Sequence, residues 1–342
     1  MAGSGHAQLR ERDDVLLRVK DLVVEFPAGR KRVVHAVTEV SFDVAEGETL
    51  GIVGESGCGK STVARAIIRL VDIAAGEVLY EQQDLATLEG EDLRRVRPNL
   101  QMIFQDPISS LNPRRRVRDV IGEGLAVWGD EIGSWSLDRI DELMEAVGVE
   151  ARYGGRRPHE FSGGQCQRIG IARALALDPK VLICDEPVSA LDVSIQAQIL
   201  NLIQDMKTRY GLTVLFISHD LSVVKNVSDR IVVMYLGKVC EIGSTEEIYS
   251  RPAHPYTRAL LASIPEPAPT VDVSEGDIGD ELPSATAPPS GCRFRTRCRW
   301  ATDVCRDVEP TTEQVGDGDH YVACHHPVAV EISARTPTGP LR

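Results

Sequence analysis

A chain of 342 residues, 42% hydrophobic and 26% charged, has room for one large or two ordinary domains and the composition of a globular protein. Its formal net charge of −13 argues against sequence-independent binding to nucleic acid or anionic lipid, and no apolar run approaches the ~20 residues that span a bilayer. Residues 1–14 are polar, lack the apolar core of a signal peptide and are read as disordered. A cytosolic location follows, and it speaks against a disulfide framework for the eight cysteines.

Leu16 to Phe26 alternates as a strand does, Pro27 opens a turn, and Val33 to Val44 returns as a second strand. This β-rich lobe leads into Thr49–Val53, a short apolar run of the kind a buried strand takes, and Ser61–Leu70 then carries apolar residues at helical spacing. Between them lies Gly54-Glu55-Ser56-Gly57-Cys58-Gly59-Lys60-Ser61, a complete Gly-x4-Gly-Lys-Ser pattern followed by Thr62. Its glycines let successive backbone N–H groups close around phosphate oxygens, and the positive end of the following helix favours the same anion. Lys60 reaches the β- and γ-phosphates and Ser61 can ligate Mg²⁺, which together make a nucleoside triphosphate site. Cys58, at a helix N-terminus, is expected to have a lowered pKa and to block ATP binding when modified; the plainer alternative is a small residue at a tolerant position.

From Gly76 to Leu100 the sequence reads as polar, and then Leu100–Phe104 forms a short strand that ends at Gln105. An amide there can approach a metal and an attacking water, although single glutamines also sit in solvated loops. Val117–Val127 and Leu137–Val147 have helical periodicity and mark a helical insertion over about 85–165. Ser162-Gly163-Gly164-Gln165 opens a second helix and so offers a second anion-binding helix end. The strand Val181–Asp185 ends in Asp185-Glu186, a pairing that suits a metal-orienting carboxylate followed by a water-polarising one. Ser189–Asp192 precedes an amphipathic helix over Ser194–Tyr210, and the strand Thr213–Ile217 ends beside His219, at the sheet edge where ligands bind in such folds. Strands Arg230–Tyr235 and Lys238–Ile242 close the region. Phe26 stands where a ring can stack on a base, or equally where it fills a core or edge.

This order of motifs resembles that of ATP-binding cassette (ABC) proteins, most closely the ATP-binding subunits of bacterial dipeptide/oligopeptide importers, over nearly the whole chain after residue 14. Gly54–Ser61 matches the Walker A motif, Gln105 the Q-loop and Ser162–Gln165 the family signature. Val181–Asp185 with Glu186 matches Walker B and its catalytic glutamate, Ser189–Asp192 the D-loop, His219 the switch histidine and Phe26 the adenine-stacking position. Gln105–Pro113 and Arg251–Leu260 look specific to the peptide-importer subgroup. Phe161, Cys166 and Cys184 depart from commoner residues without removing a functional group.

The resemblance implies an α/β fold: a RecA-like P-loop core with a β-rich subdomain, a helical insertion and a small Cys-rich C-terminal extension, divided at about residues 15–250 and 251–342. It implies Glu186, His219, Gln105 and Lys60 in catalysis, and Ser61, Gln105 and Asp185 around Mg²⁺. It also implies head-to-tail pairing with a second ABC ATPase, a related subunit rather than a copy, so that the signature of one cassette, with Asp192, completes the ATP site of the other. Two permease subunits would dock near Gln105–Arg116, on the cytoplasmic face of the membrane, in a complex that includes an extracytoplasmic peptide-binding protein. Import of nickel or another small solute stays open, as does a soluble cassette acting on DNA or ribosomes, or an iron–sulfur redox sensor.

Beyond Ile264 the composition shifts to a Pro-, acid- and Ser-rich linker up to Ser290, followed by Cys292-x5-Cys298-x6-Cys305-x18-Cys324. Four thiols so close together suit a metal site. Zinc's structural sites contain a tight Cys-x2–4-Cys pair that is missing here, whereas a [4Fe–4S] cluster accepts looser spacing. A [4Fe–4S] cluster is therefore preferred to zinc, and free thiols in a small packed subdomain remain the third reading. Arg293, Arg295, Arg297, Arg299 and Arg306 could offset cluster charge, and His320, His325 and His326 are spare ligands.

Overall fold

The computed structural model describes residues 8–29, 32–132, 136–264, 282–316 and 318–328; the expected linker thus lies largely outside the described residues. β1 (Val15–Pro27) and β2 (Val33–Ala45) pair antiparallel, and Leu17, Val19, Leu22 and Val24 of β1 are fully buried. β3 (Thr49–Val53) is buried along its whole length and leads to α1 (Lys60–Ile67). β4 (Ala75–Tyr80) and β5 (Gln83–Asp84) then complete a four-stranded sheet in the order β2-β1-β4-β5. β4 falls within the stretch read as polar: only Val78 and Tyr80 turn inward, too short an apolar alternation to stand out.

The next elements are α2 (Gly90–Val96), β6 (Leu100–Ile103), α3 (Val117–Ile121), α4 (Glu123–Ile132), α5 (Leu137–Ala146) and α6 (Gly163–Leu175). The single helix expected over 117–127 is divided, because Gly122 ends α3, donating its N–H to the carbonyl of Arg118, and glycine is a poor helix interior residue. The remainder is β7 (Val181–Asp185), α7 (Val193–Tyr210), β8 (Thr213–Ser218), α8 (Leu221–Val227), β9 (Arg230–Tyr235), β10 (Lys238–Ser244), α9 (Thr245–Ser250), α10 (Pro255–Ala262), α11 (Asp303–Asp307), β11 (Thr312–Gln314) and β12 (Tyr321–Ala323).

The main sheet has the order β11-β12-β10-β9-β3-β8-β7-β6. From β9 to β6 its strands are parallel and covered on both faces, which is why β3, β7, β8 and β9 are buried throughout. β10 and the β11–β12 hairpin add antiparallel strands at one edge, with Glu241 opposite Val322. The C-terminal segment is thus part of the main sheet rather than an appendage.

Disorder expected for residues 1–14 does not extend to Gln8–Asp14. Gln8 is buried, and Arg10 joins Asp43, Glu48 and Arg230 in a buried network of alternating charges. Removing one member would leave its partners as uncompensated buried charges, so the cluster holds the N-terminal arm down. Residues 1–7 lie outside the described residues.

Candidate nucleotide-hydrolysis site

The phosphate loop joins the C-terminal end of β3 to α1. Gly54 has φ +150° and a side chain there would meet the Met234 carbonyl at 2.2 Å, while Gly59 has φ +103° and would meet that of Ala36 at 2.3 Å. Both positions therefore require glycine. Lys60 is buried and folds back over the loop, donating to the carbonyls of Gly54 (2.7 Å) and Glu55 (3.0 Å). Ser61 Oγ donates to Asp185 Oδ1 at 2.6 Å, which ties the loop to the end of β7.

Asp185 is fully buried and its Oδ2 has no hydrogen-bond partner among the described residues, with Arg65 Nη2 3.9 Å away. Burial pushes its carboxyl above the ordinary range, against the pull of Ser61 and Arg65. A buried carboxylate with one unsatisfied oxygen, beside a serine hydroxyl, is a donor set that fits Mg²⁺. Glu186 follows at φ +48°, its N–H donating to the Ile217 carbonyl. Its Oε2 accepts from Gln105 Nε2 at 3.1 Å and lies 3.1 Å from His219 Nδ1. Three parallel strand ends thus bring Gln105, Asp185, Glu186 and His219 beside the loop.

Other expected residues lie apart from this group. Phe26 pairs with Val34 at the end of β1 and keeps 37% of its surface exposed. Ser162 and Gln165 cap α6 reciprocally: Ser162 N donates to Gln165 Oε1 (3.0 Å) and Gln165 N to Ser162 Oγ. Gly164 packs so closely on α7 that a Cβ would sit 2.7 Å from Ile195. Asp192 stands at the N-cap of α7 without a side-chain capping bond. The expectation for Cys58 is corrected: the thiol is 1% exposed, and burial raises its pKa more than Lys60 lowers it.

Around the C-terminal cysteines, Cys292, Cys298, Cys305 and Cys324 line one small cavity together with Trp300 and His325, and all four are free thiols. Burial pushes Cys292 up to about 11 and Cys324 up to about 12. Among the described residues no group of three or more Cys, His, Asp or Glu is disposed to hold a metal ion.

The arginines mainly brace this segment. Arg293 bonds to Leu236 and Thr38, Arg295 to Ser290, Arg297 to Glu55, and Arg306 to Asp307, while Arg299 draws the Cys298 thiol's pKa down by its charge, less than burial raises it. The spare histidines have other partners: His320 pairs with Glu241 at 2.6 Å, His325 Nε2–H donates to the Val308 carbonyl, and His326 bonds Thr302. Three residues that touch the hydrolysis site carried no sequence signal for it: Arg65, Tyr256, which accepts from Glu55 N, and Arg297.

A phosphate loop, a metal-fitting serine–aspartate pair and a strand-end glutamate held by Gln105 and His219 define an ATP-binding cassette. Residues 37–189 match the family model described as ABC transporter, and residues 240–305 that of the oligopeptide/dipeptide transporter C-terminal region. The oligopeptide transport ATP-binding protein OppF of Salmonella typhimurium is 48% identical over 325 residues, covering 92% of this chain and 97% of that protein. The putative oligopeptide transport ATP-binding protein YkfD of Bacillus subtilis is 50% identical over 313 residues, covering 91% and 95%. The solved dimeric, ADP- and Pi-bound cassette MJ0796 superposes with a TM-score of 0.61 at 28% identity, over 67% of this chain and 98% of that one. The chain belongs to the ABC transporter ATP-binding subunits of the oligopeptide/dipeptide group, and it is an ATPase.

Proposed function

We propose that this chain hydrolyses ATP to drive uptake of di- and oligopeptides through a membrane complex. The observation that carries the reading is the convergence of Lys60, Ser61, Asp185, Gln105, Glu186 and His219 at one edge of a parallel sheet, in a chain with the oligopeptide/dipeptide C-terminal region. With ATP bound, Lys60 exchanges its two loop carbonyls for phosphate oxygens. Ser61 and Asp185 would hold Mg²⁺, which neutralises charge on the phosphates. Glu186 polarises the attacking water, and its bonds to Gln105 and His219 keep the carboxylate aimed.

Ser162–Gln165 and Asp192 form no part of this group within one chain, which supports a head-to-tail pair in which each signature faces the other cassette's phosphates. The pairing would be with a related ATPase, on the cytoplasmic face, beneath two permease subunits that dock near Gln105–Arg116 and the α3–α5 helical insertion, with a peptide-binding protein on the far side. No helix among the described residues is long and apolar enough to cross a membrane, in keeping with attachment through partners. The test is ATPase activity of the reconstituted complex with its binding protein. Stimulation by short peptides is expected; stimulation by nickel or another small solute, with peptides inert, overturns the reading.

The four cysteines carry a second part of the proposal, a [4Fe–4S] cluster. Four free thiols line one cavity, and a cluster takes four cysteine ligands at the loose spacing this segment has. It would staple a segment too small to hold a core. Protein purified without oxygen should carry iron and acid-labile sulfide near four each per chain; absence of both sinks the cluster and leaves the ATPase reading intact.

A further inference from the structure

Within the cysteine segment, Arg297 reaches away from the thiols and into the phosphate loop. Its Nη1 donates to Glu55 Oε2 at 2.7 Å and its Nη2 to Glu55 Oε1 at 3.0 Å, a two-pronged pairing of residues 242 positions apart. The guanidinium is 9% exposed and Glu55 28%, so solvent weakens the pair little. Nη1 also donates to Tyr235 OH, at 3.4 Å.

Glu55 is held at its backbone as well: its N–H donates to Tyr256 OH at 2.8 Å, and its carbonyl accepts from Lys60. Tyr235 packs edge to face on Tyr256 and Phe294, which are themselves tilted together, with ring centroids 4.8 to 5.3 Å apart, so the C-terminal segment and the loop rest on one aromatic cluster. A second grip lies beneath the loop. Arg293 donates to the Leu236 carbonyl and to Thr38 Oγ1, and the next residue, Gly237, donates its N–H to the Cys58 carbonyl. The segment therefore braces the loop at both ends of Glu55–Cys58.

We propose that Arg297 is a positioning residue for ATP binding: by clamping the Glu55 carboxylate it holds the phosphate loop in its cradle shape before nucleotide arrives. Without the clamp, binding must also order the loop, and affinity falls by the fraction of time the cradle is formed. Lys60 is the residue most exposed to that loss, because its ammonium is held by carbonyls of Gly54 and Glu55 and moves with them. The inference rests on the nucleotide site alone; it needs neither the transported solute nor the iron–sulfur cluster.

The experiment is a double-mutant cycle on equilibrium MgATP binding by the full-length chain, with Arg297→Ala, Glu55→Gln and the pair. Arg297→Ala should raise Kd about tenfold, Glu55→Gln should raise it by a similar factor, and the double variant should be no weaker than either. Arg297→Lys should recover part of the loss, and amide exchange over residues 54–59 should speed up in Arg297→Ala while the strand ends stay protected. If a folded Arg297→Ala binds MgATP as the native chain does, or the two single effects multiply, the positioning role is wrong. Should Arg297→Ala not fold, Glu55→Gln decides from the other side: an unchanged Kd overturns the proposal and a weakened one supports it.

Discussion

The phosphate loop is built from eight consecutive residues and braced from outside, while the cysteine segment takes its whole shape from partners far along the chain. Gly54, Gly59 and Lys60 form the cradle between a strand and the helix that follows. Residues 291–324, by contrast, are held by β10 through the β12 strand, by Glu241 through His320, and by Glu55 through Arg297. A loop that presents backbone N–H groups carries most of its design in its own residues, and distant partners only steady it. A small segment with few large apolar side chains has to borrow its order from the body it packs on. The borrowing runs both ways here, since the lender includes the catalytic loop.

The sharpest way to separate the two regions is Glu186→Gln. Loss of the water-polarising carboxylate should lower ATP turnover of the assembled complex about 10²–10⁴-fold, while equilibrium ATP binding and the melting temperature stay near native. Phosphate release against binding measures the split; a variant that keeps native turnover would remove Glu186 from catalysis. On the other side, Phe294→Ala removes a ring that is 3% exposed and packed on Tyr235, Tyr256 and His254. It should cost about 3–5 kcal/mol of stability. Denaturant unfolding that leaves the main transition unchanged would mean that the segment is an appendage after all.

The contrast also explains what sequence reasoning could see. Every strand end that carries a polar residue of the hydrolysis site was legible, because an apolar run leads straight into its polar terminus within ten residues. The signature turn was legible for the same reason, as Ser162 and Gln165 satisfy each other. Nothing near Arg297 marks it as a partner of Glu55, and a row of arginines among cysteines points instead to charge compensation. Gln8–Asp14 read as disordered because the acids that hold Arg10 lie on β2 and its turn, more than thirty residues on. Such pairings are created by the sheet and have no local pattern.

A pH titration sharpens the comparison at the seam between the regions. His254 caps α10, its ring Nδ1 accepting from Tyr256 N at 3.0 Å, while its backbone N–H donates to Glu241, which also meets His320. Burial pushes its pKa down to about 4, with Glu241 opposing. The unfolded chain takes up this proton near pH 6.5 and the folded chain only near 4, so stability is full above the first value and falls as pH drops toward the second. The loss should be on the order of 3 kcal/mol. Subtracting the curve of His254→Asn, which keeps a capping acceptor, isolates this group; coincident pH profiles would show that it is not the titrating one.

The smallest expected change in stability tests the largest assumption about assembly. Ser162 accepts from Gln165 N at 3.4 Å, a long capping bond between exposed residues, so Ser162→Ala should cost about 1 kcal/mol or less of folding stability. A residue with only that duty would leave ATP turnover untouched. If instead its hydroxyl and the α6 N-terminus face the phosphates of a paired cassette, turnover of the assembled complex should fall tenfold or more while the isolated chain binds ATP normally. Unimpaired turnover with the small stability loss would confine Ser162 to its own helix and remove the main support for the head-to-tail pair. A loss of turnover seen only in the complex would place half of the hydrolysis site on the neighbouring subunit, which one chain's parallel sheet cannot supply by itself.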